Sequence, residues 1–386
     1  MSNDEWGERR CLSMKSRRQF LGACVASAVG GAVSHAAEGP KPFSFILLGD
    51  LHYDRMDHHD LKWLQENHGG DLSQIQNYSR LTAELMPGMF AAVKQRIAAL
   101  RASAAPPAFV LQVGDLVQGL CGTAELSARQ NREAVEFVAQ QELGVPFLFT
   151  KGNHDVTGDG AKEAFDEVLL PFMAGQAKQV DGATSNSKAN HLATCGEAQF
   201  AFFDAYDRTS LEWLEAVAAK RTARHLFVIV HPPVVPYGAR AAWHLYANEK
   251  TKAQRDKMLD ILGVQEAMVL GGHLHKFSAL TRTAGGKRFS QLAVSSVVSD
   301  LNQKLKDELH GVASYNGDQV KLEPNHSPET EPQRRQVYAD ERKAVTAFEY
   351  ANTAGYAVVT VDGGQVTAAI HAGTADTAFQ RVILSA

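Results

Sequence analysis

Phe43-Ser44-Phe45-Ile46-Leu47-Leu48-Gly49-Asp50-Leu51-His52 is an apolar run that breaks at a glycine and then presents a carboxylate and an imidazole two residues apart. Short runs of this kind, rich in Phe, Ile, Leu and Val, read as buried strands. The same design recurs along the chain. Ala108–Val113 precedes Gly114-Asp115, and Val145–Thr150 precedes Gly152-Asn153-His154-Asp155. His225–Val230 precedes His231, and Ala267–Leu270 precedes Gly272-His273-Leu274-His275. Between the runs, apolar residues share helical faces: Met89, Phe90, Val93, Ile97 and Leu100; Ala134, Val135, Phe137 and Val138; Leu211, Trp213, Leu214 and Val217. Strands alternating with helices predict an α/β fold. Sites in open α/β sheets form beyond the carboxyl ends of strands. All five polar blocks sit there, so they are expected to converge on one sheet rim. Gly49, Gly114, Gly152 and Gly272 fit sharp turns at those strand ends.

Together the blocks offer the carboxylates of Asp50 and Asp115, the amide oxygen of Asn153, and the imidazoles of His52, His231, His273 and His275, besides His154. Oxygen and imidazole donors in this mixture suit manganese, iron or zinc. Phosphate ester hydrolysis is the usual chemistry of two such ions held side by side. Singly, each residue is ordinary: a hydrogen-bonded His, an Asp capping a helix after a strand, an Asn in a turn. The information lies in the ordered series.

That series, Asp-x-His, Gly-Asp, Gly-Asn-His-Asp, His, Gly-His-x-His, runs from about Phe43 to His275 and resembles the calcineurin-like metallophosphoesterase superfamily. Ser210–Leu214, followed by a strand and His231-Pro232-Pro233, is similar to the same layout. The resemblance implies a four-layer αββα sandwich, two mixed β-sheets with helices on both outer faces. It also implies two divalent or trivalent metal ions. Asp50, His52, Asp115 and His275 would hold the first; Asp115, Asn153, His231 and His273 would hold the second, with Asp115 bridging through its two oxygens. Two cations against two carboxylates leave a positive surplus. That surplus favours a phosphoryl group and lowers the pKa of a bridging water, whose hydroxide would attack phosphorus in line with the leaving oxygen. His154 and Asn153 would face the substrate. His154 would act as proton donor to the leaving oxygen or as stabiliser of phosphoryl charge. Its orienting partner is either Gln118, where some relatives carry an acid, or Asp155, which more often supports the loop.

Departures from the resemblance narrow the substrate by exclusion. Gln118 stands where purple acid phosphatases carry a Tyr, and the Asp-Arg-Gly continuation of Ser/Thr protein phosphatases is absent. Paired aromatics for a nucleotide base, as in secreted nucleotidases, are not evident after the core motifs. The cyclic-nucleotide phosphodiesterase type is similar in length and ligand series. A small-molecule phosphate mono- or diester is the expected substrate. A catalytically inactive metal-binding scaffold and a nuclease are the alternatives. Substrate choice is expected in the loops after Asp50, after Asn190 and around Arg240.

Around the core motifs the signals weaken. Asp54, Asp57, His58, His59 and His68 read as a solvated loop and short helix, with a third metal or a substrate loop as the alternative. Tyr78 and Arg80 are candidate contacts to the phosphate or leaving group, against a surface role; His191 and His244 lie between ligand-bearing strands. Further on, Phe277–Thr283 and Arg288–Val294 flank Ala284-Gly285-Gly286, and Tyr356–Val361 and Gln365–Ile370 flank the hairpin signal Asp362-Gly363-Gly364. The polar, proline-bearing stretch from Leu301 to Lys343 reads as an insertion or a surface excursion near the cleft. The strands in 276–386 are expected to complete a second sheet within one domain spanning 38–386, whose core motifs occupy 43–275.

Ser16-Arg17-Arg18-Gln19-Phe20-Leu21 resembles a twin-arginine export signal, followed by a small-residue apolar stretch too short for a membrane span. Residues 1–37 would engage the twin-arginine translocation machinery and be cleaved near Ala36 or Ala37, leaving no stable span and a periplasmic or extracellular protein. Cys24, after Leu21-Gly22-Ala23, imitates a lipoprotein site but sits too near the arginines. Such export carries folded proteins, so metals would be loaded beforehand. The 386 residues are 45% hydrophobic and 21% charged, ordinary for a globular core. Residues 1–37 hold five Lys/Arg and three Asp/Glu, so the formal charge moves from −4 to −6 without them. An acidic chain gives nucleic-acid binding no support. Of four cysteines, Cys121 and Cys195 lie beyond the signal, and either a pair or separate thiols would fit.

Overall fold

β1 (Phe43–Leu48), β2 (Pro107–Gln112) and β3 (Phe147–Phe149) pair in parallel, with Leu48 opposite Gln112 and Gln112 opposite Phe149. A computed structural model describes residues 40–180, 182, 188–318 and 331–385; the expected export segment lies outside them. Next come β4 (His191–Cys195), β5 (Ala198–Phe202), β6 (His225–Ile229), β7 (Met268–Gly271), β8 (Phe277–Ala284), β9 (Lys287–Ala293), β10 (Leu309–His310) and β11 (Val345–Ala351). These eight form one sheet, ordered β10-β11-β8-β9-β7-β6-β5-β4. The last three, β12 (Gly355–Asp362), β13 (Gln365–Ala372) and β14 (Gln380–Ile383), return to the first sheet, ordered β14-β13-β12-β1-β2-β3.

The alternation of side chains along each strand builds the layers. Phe45 and Leu47 of β1 point between the sheets with Phe109, Phe200, Phe227 and Ile229. Phe45 stacks on Phe109 at 5.2 Å and Phe200 on Phe227 at 4.7 Å, and the two pairs meet edge to face. Ile46 and Leu48 point outward instead, to a cluster with Phe90 and Val93 of α3 (Met86–Leu100), Val138 of α4 (Ala124–Gln140) and Met173 of α6 (Leu170–Ala177). The other outer face packs α7 (Ser210–Ala219), α8 (Lys252–Val264) and α9 (Glu331–Glu341) through Leu214, Leu262 and Tyr338. Helices α1 (Leu61–His68), α2 (Leu72–Glu84) and α5 (Ala161–Ala164) complete the set among the described residues. The result is an αββα sandwich of two mixed sheets flanked by helices.

Two expectations need correction. The C-terminal strands do not all complete the second sheet: β8–β11 do, but β12 lies antiparallel to β1, Phe43 opposite Val361. β12 is apolar on both faces, with Val359 and Val361 facing the inter-sheet core and Tyr356 and Val358 the helical layer, so it needs an interior position. The 301–343 stretch is also more than an excursion, because α9 within it buries Tyr338. No disulfide joins Cys121 and Cys195, and among the described residues no helix is long and apolar enough to cross a membrane.

Candidate metal centre

Five loops leave the carboxyl ends of β1, β2, β3, β6 and β7, the first three from one sheet and the last two from the other. The expected single rim is therefore shared by both sheets. Main-chain bonds fix the loops to one another. The N–H groups of Leu51 and His52 both donate to the Asp115 carbonyl at 3.0 Å. Asp155 is buried; its carboxylate accepts from the N–H groups of Gly152 at 2.7 Å and of Asp115 and Val117 at 3.1 Å. It is a loop support. A Cβ on Gly152 would sit 2.1 Å from Asp115 Oδ1, and Gly114 has φ +100° beside His231. Both turns therefore require glycine. Among the described residues, nine non-glycine residues have positive φ, and four of them are His52, Asp115, His273 and His275. Strain concentrated there marks a functional site.

The side chains form two adjoining sets. Donor atoms of Asp50, His52 and His275 lie within 4.8 Å of one another, as do those of Asp115, His231 and His273. A third group, His52, Asp115 and His154, joins them. His52 Nε2 faces His275 Nε2 at 2.9 Å. His231 Nε2 faces Asp115 Oδ2 at 3.0 Å, Asn153 Oδ1 at 3.1 Å and His273 Nδ1 at 3.2 Å. His231 Nδ1–H donates to the Val113 carbonyl at 2.9 Å, which reserves Nε2 for the centre. Asp115 Oδ1 accepts the His154 N–H at 2.8 Å, and its Oδ2 lies 3.0 Å from His231 and 3.7 Å from His52.

Burial and the neighbouring charges decide which groups are ionised. Burial pushes the His52 and His273 imidazoles down to about 3 and His275 well below its usual value. These rings are neutral, so each keeps one nitrogen lone pair available to a cation. For His231 burial also lowers the pKa, but Asp115 and Asp50 overcome it and raise the ring to about 9. Burial raises Asp50 to about 7; it acts on Asp115 too, but His231 and His154 hold that carboxyl well below its usual value. The buried His52 Nδ1 and both amide atoms of Gln118 lack hydrogen-bond partners. Facing lone pairs, two carboxylates and orphaned polar atoms fit a pair of metal cations, and the N/O donor mixture suits manganese, iron or zinc.

The other sequence candidates divide. His154 Nδ1–H donates to the main-chain carbonyl of Gln118 at 2.8 Å, so the residue's backbone, not its amide, orients the imidazole. Tyr78 is buried, stacks on His52 at 4.4 Å with an interplanar angle of 4°, and lies 3.4 Å from His275 Nδ1. Arg80 is exposed and pairs with Glu84 and Asn77, as its surface reading expects. His191 and His244 are buried and bonded to the carbonyls of Ala189 and Ala241. The Asp54 segment is not solvated. Asp54 is buried and accepts from His59, Gln130 and Ser79, while His58 bonds Glu133. That network ties α2, and with it Tyr78, to the first ligand loop. Trp243 has no sequence signal beyond its place three residues after Arg240, yet its ring lies 5.9 Å from that of His273.

Comparison with known proteins places this geometry. No curated protein matches the chain in sequence. Among solved structures, a purple acid phosphatase from yellow lupin (Lupinus luteus) seeds superposes with TM-score 0.52 at 12% identity, over 90% of this chain and 54% of that one. The chain thus spans about half the length of the lupin protein. GAP50, the anchor in the inner membrane complex of Plasmodium, superposes with TM-score 0.50 at 12% identity over 89% of each chain. At such identities the likeness is one of fold. The sequence profile of the calcineurin-like phosphoesterases matches residues 43–277, more than half the chain and all five ligand blocks. The chain belongs to the calcineurin-like phosphoesterase family.

Proposed function

We propose that this protein is a dinuclear-metal-dependent phosphoric ester hydrolase acting on small mono- or diesters, and that it is exported. The observation that carries the reading is the convergence of two imidazole-and-carboxylate sets on Asp115, whose Oδ2 lies 3.0 Å from His231 and 3.7 Å from His52. Asp50, His52, Asp115 and His275 would hold one cation; Asp115, Asn153, His231 and His273 the other. Bound there, the cations would supply Lewis-acid polarisation of a phosphoryl oxygen and a water of lowered pKa as nucleophile.

The chain's own part is to hold and to protonate. Asp115 keeps the two ligand sets at a fixed separation. The His154 N–H bond to Asp115 Oδ1 ties the proton donor to that bridge. With Nδ1–H on the Gln118 carbonyl, His154 offers Nε2 to the leaving oxygen. A scaffold reading also has support, since the Plasmodium protein of the same fold is described as an anchor. His154 argues against it, because a purely structural metal site needs no proton donor.

Elemental analysis paired with turnover of p-nitrophenyl phosphate and bis(p-nitrophenyl) phosphate in manganese tests the hydrolase. Two metal equivalents and cleavage of at least one ester are expected; two equivalents with neither ester cleaved would hand the protein to the scaffold reading. Export rests on Ser16–Leu21. Mature protein from outside the cytoplasm should begin near Ala37 or Glu38, and replacing Arg17 and Arg18 by Lys should trap it inside. Unchanged export of that variant would remove the twin-arginine route.

A further inference from the structure

Among the described residues, the exposed large hydrophobic side chains are Leu61, Tyr206, Trp243, Val264 and Ile383. Trp243 is the one with a ring contact to a candidate ligand, His273, at 5.9 Å and a tilt of 43°. It ends the short turn Ala241–Trp243, in the loop that leads from the His231 block to α8. Its indole is 49% exposed although it stands beside a polar, charged centre. An aromatic face exposed beside a candidate ligand is open to a planar group bound at the centre. The Arg240 guanidinium lies 4.8 Å over the indole, a cation–π contact that limits the ring's rotation. One loop therefore brings a braced aromatic plate and a positive charge to the second half of the centre.

We propose that Trp243, braced by Arg240, is a stacking platform for the substrate's leaving group, so that the centre prefers phosphate esters whose leaving group carries a planar aromatic ring over alkyl esters. The proposal rests on the hydrolase reading for its role in turnover, but binding tests it separately. A ring stacked on the indole keeps the ester bond beside the ligand cluster. Arg240 holds the plate and adds attraction for the phosphoryl oxygens. Aromatic stacking of this kind is worth up to about a tenfold change in affinity.

Phenylphosphonate and methylphosphonate, which present the same head group and resist hydrolysis, are titrated calorimetrically into the metal-loaded protein. The wild type should bind phenylphosphonate about tenfold more tightly. Trp243→Ala should bring the ratio to within about twofold, and Trp243→Phe should keep most of it. The aryl-to-alkyl ratio of kcat/KM should fall in parallel, mainly through KM. A wild type with no phenyl preference, or a preference that Trp243→Ala leaves intact, overturns the platform. So does a Trp243→Ala protein that has lost its metal, if Trp243→Phe restores metal without restoring the preference. Phenyl preference without turnover of any ester sinks the hydrolase reading and leaves the platform standing; turnover without the preference does the reverse. If neither phosphonate binds, the platform falls, and the hydrolase reading stands or falls on turnover alone.

Discussion

The two halves of the metal centre are built from similar donors but carry their protons differently. In the half formed by Asp50, His52 and His275, burial keeps both imidazoles neutral, and their Nε2 atoms face each other at 2.9 Å. In the half formed by Asp115, Asn153, His231 and His273, the His231 ring lies 3.0 Å from Asp115 and 3.7 Å from Asp50, and those carboxylates hold its proton to about pH 9. The first half presents bare lone pairs to a cation. The second carries an imidazolium in the cation's place, and must release a proton to bind metal through Nε2. Charge complementarity without metal is thus already present in one half and absent from the other.

Asp115→Asn should have the largest effect, because Oδ2 serves both halves. Turnover should fall by more than about a hundredfold, and metal analysis should show loss from both halves. Loss of one equivalent alone would mean that the halves do not share the oxygen. His154 belongs to neither of the two sets of four ligands proposed for the cations. Its replacement by Ala should therefore leave both metals in place and lower turnover by about a hundredfold to ten-thousandfold, most for poor leaving groups. Equal loss across leaving groups would make His154 a charge stabiliser instead of a proton donor.

A subtler effect tests the protons directly. At pH 8, above the value of about 7 for Asp50 and below the value of about 9 for His231, loading the stripped protein with manganese should release about one proton. Calorimetry in buffers of different ionisation enthalpy counts it. His231→Gln should release none; release undiminished in that variant would place the proton elsewhere. The stability consequence has a definite sign. A raised imidazole stabilises the fold fully below its unfolded pKa near 6.5, and that contribution disappears as pH rises through about 9. Asp50, raised from 3.8 to about 7, binds extra protons in the fold, so its ionisation also costs stability as pH rises across that window. Below about pH 6.5 the buried neutral rings of His52, His273 and His275 act in the opposite sense, so the stripped protein should melt at progressively lower temperature only from about pH 7 to pH 9, and metal should flatten that limb.

Much of this centre was legible in the sequence because each ligand is adjacent to the strand that aims it. A glycine, a ligand and an apolar run are neighbours in the chain, so periodicity finds them together. The partition between sheets was not legible. It depends on β12 finding β1 from more than 300 residues away, Phe43 opposite Val361, and no local pattern encodes a partner. Polar support was hidden for a different reason. Asp54, His58 and His59 have the composition of a solvated loop, and only the distant partners Gln130, Ser79 and Glu133 make their burial tolerable. The anchoring of Asp115 Oδ1 by the main-chain N–H of His154 was equally out of reach.

Tyr78 offers the smallest test, and it asks whether the first half is tuned by more than its ligands. Burial holds the phenol protonated, and its oxygen accepts from Gln74 at 3.0 Å and lies 3.4 Å from His275 Nδ1. A hydrogen bond there would keep the proton on Nδ1 and free Nε2 for a cation, while the ring fixes His52 by stacking. Tyr78→Phe preserves the stack and removes only the oxygen, so the first half should lose roughly two- to fivefold in metal affinity, less than the tenfold to hundredfold typical of stronger supporting bonds. Tyr78→Ala removes the stack as well and should reach that larger range. The second half should respond to neither, because Tyr78 touches His52 and His275 and none of Asn153, His231 or His273. If Tyr78→Phe instead lowers turnover with both metals fully bound, the phenol acts on the substrate. The asymmetry between the halves would then lie in what each presents to the ester, not in how each holds its ion.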